Sequence, residues 1–211
     1  MEIASENRRK DIVGRVKNIL FQPRAEWGVI AEEPATPKSL YLNYIMLLAA
    51  IGPIASIIGN SVVGVTLPFV GGHYRVPLGN SIGYAVLAYV LTLVGAFVLA
   101  LVIETLAPNF GGVKDRTQAL KVVAYSWTPS WIVAVVQIFP GSILLGLLAL
   151  AAGIYGLYLL YLGLPPVMKS PPERAVGYTA ASVIAAIIIY LIIGWLAAMT
   201  ISYPTLSALE H

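Results

Sequence analysis

The sequence predicts an all-α protein: a polytopic membrane helical bundle with five transmembrane helices and an N-terminal amphipathic helical segment. Three observations predict it. The 211 residues are 58% hydrophobic and only 11% charged, whereas soluble domains carry about 25% charge. The apolar residues gather in runs near the ~20 that cross a bilayer as a helix. The lysines and arginines fall in alternate connections, as they do where charge orients membrane helices. A transmembrane β-barrel would show alternating segments of roughly ten residues, and the runs here are continuous.

The chain divides into an N-terminal region (1–38), a membrane domain (39–203) and a tail (204–211). In "DIVGRVKNILF", Ile12, Val16, Ile19 and Leu20 recur at helical spacing and share one face. Arg15 and Lys17 are expected largely off that face. Pro23 opens a second short helical piece that carries Trp27 and Ile30. Two uses fit this segment, and they are compatible. One is a membrane-surface helix held by apolar burial and anionic lipid. The other is a helix packed under the ends of the spans.

Thr36-Pro37 supplies a cap and a proline at the first helical position, ahead of span 1. The spans are expected at 40–59, 82–105, 118–139, 142–164 and 177–201. Pro108, Pro140-Gly141, Pro165-Pro166 and Pro204 are expected to stop the last four. Between spans 1 and 2, the segment 63–81 has two β-prone runs around Gly71-Gly72, which fit a small hairpin or a plain loop.

With five spans, every lysine and arginine except Arg75 falls on the N-terminal side of the membrane. The N-terminus is therefore expected in the cytoplasm and the C-terminus outside. The opening residues do not form a cleavable signal, so span 1 is expected to act as an uncleaved signal anchor.

There is no cysteine, and the histidines are His73 and His211. The ending "SALEH" resembles a cloning scar running into a tag. No metal site, cofactor or nucleic-acid partner is expected, and no Ser-His-acid set is evident.

Two constellations could carry chemistry. Glu104 lies ~16 Å along its helix from the centre of span 2 near Leu93, against a hydrocarbon half-thickness of ~15 Å. That puts it at the cytoplasmic boundary. Lys121 lies ~12 Å from the centre of span 3, so it is deeper. An ion pair of Glu104 with Lys121, Lys114 or Arg116 is the simplest arrangement. An ion or proton pathway through Glu104, Lys121 and Gln137 is the sharper alternative. The second constellation is "AYSWTPSWIVAVVQ", in which Pro129 interrupts span 3. Tyr125, Trp127 and Trp131 surround that break. They fit either an aromatic-lined cavity with Gln137 at its outer end or a bent packing helix. Small residues in span 4 (Ala149, Gly153, Gly156) and span 5 (Ala181, Ala185, Gly194, Ala198) predict close helix packing or a homodimer.

The stretches "RVKNILFQPRAEWGVIAEEPAT", "AYSWTPSWI" and "YLLYLGLPPVMKSPPERAVGYT" occur in that order around five spans. In this the chain resembles the Yip family of Ypt/Rab-interacting membrane proteins, in particular its small prokaryotic members. The resemblance implies a non-enzymatic integral protein of a prokaryotic cell membrane, with a cytoplasmic N-terminus. It would organise membrane or partner proteins. Its partners would be the bilayer, with anionic lipid at the cytoplasmic face, and another copy of the chain or another membrane protein. The matching positions Trp27, Tyr125, Trp127, Pro129, Gly163, Pro165 and Tyr178 would be structural. An oligomeric transporter or channel for a small ion or solute is the alternative.

Overall fold

The computed structural model describes residues 2–67 and 72–198, with side chains over 12–65 and 73–196. Two helices, α1 (Glu2–Phe21) and α2 (Pro23–Glu32), precede the membrane domain. Five membrane-length helices follow: α3 (Pro37–Val63), α4 (Leu78–Phe110), α5 (Arg116–Ile138), α6 (Ile143–Met168) and α7 (Pro172–Leu196). The expected end of span 5, Pro204 and the tail lie outside the described residues.

The capping signals act as the sequence suggests. The Thr36 hydroxyl accepts from the Ser39 N–H at 3.1 Å, and Ser39 Oγ accepts from the Thr36 N–H at 3.0 Å. This reciprocal pair starts α3 at Pro37. Asp115 caps α5 by accepting from the Gln118 N–H at 3.0 Å. After α3, the strands β1 (Val65–Leu67) and β2 (Gly72–Tyr74) pair antiparallel, with Thr66 opposite His73. The segment between spans 1 and 2 is thus a hairpin.

The helix α5 is the hub. In it 61% of the apolar window is buried, against 11% in α7. The outer faces of the bundle are apolar: Ile184, Ile187 and Leu191 are 60%, 53% and 65% exposed. A solvated protein does not display such a surface, and a bilayer covers it.

Phenol hydroxyls cross-link the spans through backbone carbonyls. Tyr41 donates to Leu93 O at 2.8 Å and Tyr89 donates to Met46 O at 3.0 Å, which ties α3 to α4 in both directions. Tyr178 donates to Ile103 O at 2.5 Å, and its ring stacks on Phe110 at 4.9 Å, which ties α7 to α4.

The proline breaks behave differently from one another. At Pro129 the α-helical run of α5 is interrupted at Trp127, and a short α-helical run restarts at Thr128. Gly156 of α6 packs there so closely that a Cβ on it would lie 2.9 Å from the Ser126 carbonyl oxygen. In α3 the α-helical run ends at Ala49 and restarts at Ile51, so Pro53 lies in the first turn of a new run, and π-helical turns stand at Tyr41–Ile45 and Ile58–Val63. Pro165-Pro166 does not stop α6, which continues to Met168. These prolines leave the carbonyls of Tyr161 and Leu162 without their helical donors. The stop comes instead at Lys169, whose backbone is left-handed (φ 54).

The end of the bundle that carries Lys114, Arg116, Lys169 and Arg174 is called the basic end below. The helices α1 and α2 run antiparallel as a hairpin beside the spans. The Tyr155 hydroxyl, near the middle of α6, donates to Leu20 O at 2.7 Å. Tyr155 is ~20 Å up α6 from Met168 at ~1.5 Å per residue. The hairpin therefore climbs the flank of the bundle instead of packing beneath it.

Candidate functional site

The hairpin is locked by aromatic packing. Trp27 is 1% exposed, and its indole fills the place a side chain at Gly163 would take. The ring meets Tyr125 edge-on, with centroids 6.3 Å apart and planes at 82°. Tyr125 packs in turn on Tyr44 at 4.7 Å. The Tyr44 hydroxyl lies 2.8 Å from Thr128 Oγ1, which itself donates to Ala124 O at 3.3 Å. The hydroxyl of Thr128, beside the Pro129 break, thereby bonds both its own helix and α3.

Charge then fixes the hairpin's geometry. The Arg15 guanidinium lies 5.7 Å from the centre of the Tyr125 ring. Its Nη1 binds Glu26 and its Nη2 binds Glu33, which joins α1 to both ends of the buried face of α2. Burial alone lowers the Arg15 pKa. Tyr125, Glu33 and Glu26 outweigh burial and raise it above its ordinary value, so the side chain stays charged. Lys121 is 3% exposed, and its ammonium donates to Ile30 O at 2.8 Å and Glu33 O at 2.5 Å. Gln118 Nε2 donates to Ala31 O at 3.0 Å. Thus α5 satisfies the last carbonyls of α2 and places a cation at the negative end of that helix.

A cavity of about 140 Å³ lies between α1, α2, α3 and α5. Arg15, Glu33, Lys121, Tyr44 and Tyr125 form its walls, with Ser39 and Asn43 from the start of α3.

The predicted site residues thus separate into groups. Glu104 pairs with Arg116 Nε at 3.0 Å, one of the arrangements expected, and Lys121 binds the carbonyls of α2 instead. Gln137 is exposed at the opposite end of α5, beside Gly52 of α3. It lies ~24 Å along the helix from Lys121. Trp127 and Trp131 meet each other edge-to-face at 6.0 Å, and Trp131 is buried. Tyr125 lines the cavity, and neither tryptophan does.

In the N-terminal segment, Lys17 is exposed as expected. Arg15 is not on the outer side; its side chain is turned inward and only 12% exposed, because two carboxylates of the hairpin's second arm await it there. Trp27 is likewise an internal lock and not a surface anchor. The sequence reading missed Glu26, Glu33 and Tyr44. For Glu26 a signal existed: it shares the buried stripe of α2 with Trp27 and Ile30, where an acid needs a partner.

Five membrane-length helices, an apolar outer surface and a hairpin docked on their flank define a polytopic α-helical membrane protein. The family described as the Yip1 domain matches residues 17–196. The inner membrane protein YohC, from two Escherichia coli strains, is 25% identical over 177 residues, covering 84% of this chain and 90% of that protein. No solved structure matches the chain. The chain belongs to the Yip1 domain family.

Proposed function

We propose that this protein is a non-enzymatic scaffold of a prokaryotic cell membrane, with its basic end and N-terminus in the cytoplasm. It organises the surrounding lipid, or a partner protein, through the α1–α2 hairpin. One observation carries this reading: the hairpin's outer edge stands beside the spans, not below them. Phe21 at its tip is 75% exposed and Val13 is 67% exposed. Lys17 and Arg24 are exposed on the same hairpin. Apolar groups at that depth insert among acyl chains, while the long basic side chains reach back to anionic headgroups. The family resemblance and the basic connections support the orientation.

The alternative, an oligomeric transporter or channel, rests on the proline breaks of spans 1 and 3 and on Glu104, Lys121 and Gln137; Glu104 and Lys121 bind different groups, and Gln137 stands at the opposite end of α5. No observation favours it over the scaffold.

The test uses the full chain in phosphatidylcholine vesicles with and without phosphatidylglycerol. The chain has no cysteine, so Phe21→Cys carries a single fluorophore. Quenching by lipid-borne quenchers, together with enrichment of labelled phosphatidylglycerol around the protein, is expected. A label reached only by aqueous quenchers, with lipid distribution unchanged, rules the scaffold reading out.

A further inference from the structure

Three charged groups line the cavity beneath the hairpin, Arg15, Glu33 and Lys121, and a fourth, Glu26, binds Arg15 beside it; the four are not equally fixed. Lys121 is 3% exposed, and two of its three donors are taken by Ile30 O and Glu33 O. Arg15 and Glu26, which it binds through Nη1, have side chains 12% and 10% exposed. The remaining group is Glu33, held on Arg15 Nη2 with a side chain 43% exposed. Glu33 also lies just past the end of α2, in extended backbone (φ −66, ψ 128). Three of the charges are therefore anchored, and the anion at the mouth can rotate outward. Asp115 acts on Lys121 only at a distance, since its carboxylate caps α5 at Gln118 N.

We infer that this cavity is a binding site for a phosphoryl group, and that Glu33 is its built-in competitor. With Glu33 swung out, the remaining fixed charges leave a net cation. The freed guanidinium edge offers the forked donors that match phosphate oxygens, and the third N–H of Lys121 adds a point charge. Ser39 and Asn43 supply a polar rim. The volume of about 140 Å³ is roughly ten times the ~10–15 Å³ that admits one water, enough for a phosphoryl group and its first substituent. A phospholipid headgroup and free phosphate present the same oxygens. The site goes beyond the scaffold reading and does not depend on it, because quenching of a label at position 21 reports on the tip of the hairpin and not on this cavity.

The experiment measures thermal unfolding of the full chain in neutral detergent during titration with phosphatidylglycerol, a diacylglycerol lacking phosphate, or inorganic phosphate. Phosphatidylglycerol is expected to raise the melting temperature saturably, and diacylglycerol is not. In Glu33→Gln the half-saturation point should fall about threefold, the factor equal to ~0.7 kcal/mol for one lost competing, partly exposed ion pair. Inorganic phosphate giving the same saturable rise, with the same gain in Glu33→Gln, supports the site and makes a soluble phosphate its source. Arg15→Lys should weaken binding, but it also loosens the hairpin, so the exposed Glu33 is the decisive position. Half-saturation unchanged or higher in Glu33→Gln, or an equal rise with diacylglycerol, overturns the proposal.

Discussion

The indole of Trp27 occupies the space that a side chain at Gly163 would need: a Cβ on that glycine would lie 2.6 Å from Cζ2 of the ring. One residue belongs to the hairpin and the other to a membrane helix, so this contact decides whether the N-terminal segment is part of the bundle. Gly163→Leu is expected to push α2 off α6 at a cost of about 1–3 kcal/mol. Limited proteolysis in detergent should then cut the segment between α2 and α3 much faster than in the parent. Trp27→Ala, which empties the same place, should cost about 3–5 kcal/mol in thermal unfolding.

The two carboxylates on Arg15 should differ in weight. Glu26 and Arg15 are both nearly buried, with side chains 10% and 12% exposed. Removing one partner of such a pair costs about 3–5 kcal/mol. Glu33 is 43% exposed, and an exposed pair is worth about 0–1 kcal/mol. Denaturation of Glu26→Ala and Glu33→Ala should show a large loss for the first and a small one for the second.

Much of this was legible in the sequence, and the limits have physical causes. The five spans follow from run length, which the bilayer thickness sets whatever the helices pack against. The apolar stripe Ile12, Val16, Ile19 and Leu20 was legible, and it packs on the bundle. Arg15 was misplaced because it lies at the edge of that stripe, and what turns it inward is a pair of acids on the next helix. Periodicity within one helix does not carry that information. The partners of Lys121 are backbone carbonyls, which every residue has, so no side-chain pattern announces them. Pro165-Pro166 misled because a proline rule for helix interiors loses force in the last turn.

Glu104 is expected to behave as half of an interfacial ion pair. Arg116 is 53% exposed, so Glu104→Gln should lower stability by no more than ~1 kcal/mol. Ion flux in proteoliposomes, measured in parallel, should be the same for parent and variant.

Orientation can be read with single cysteines in the otherwise cysteine-free chain. Arg75→Cys should react with a membrane-impermeant maleimide added outside intact cells. Lys114→Cys should react only after permeabilisation.

The docked hairpin itself is tested most directly by a cross-link between α2 and α5. Gln118 Nε2 reaches Ala31 O at 3.0 Å, so Ala31→Cys and Gln118→Cys stand within reach of a short thiol cross-linker in native membranes. An intramolecular cross-link that closes in the parent background and fails with Gly163→Leu is the expected result. No cross-link in the parent background, with both cysteines reactive singly, would contradict the docked arrangement.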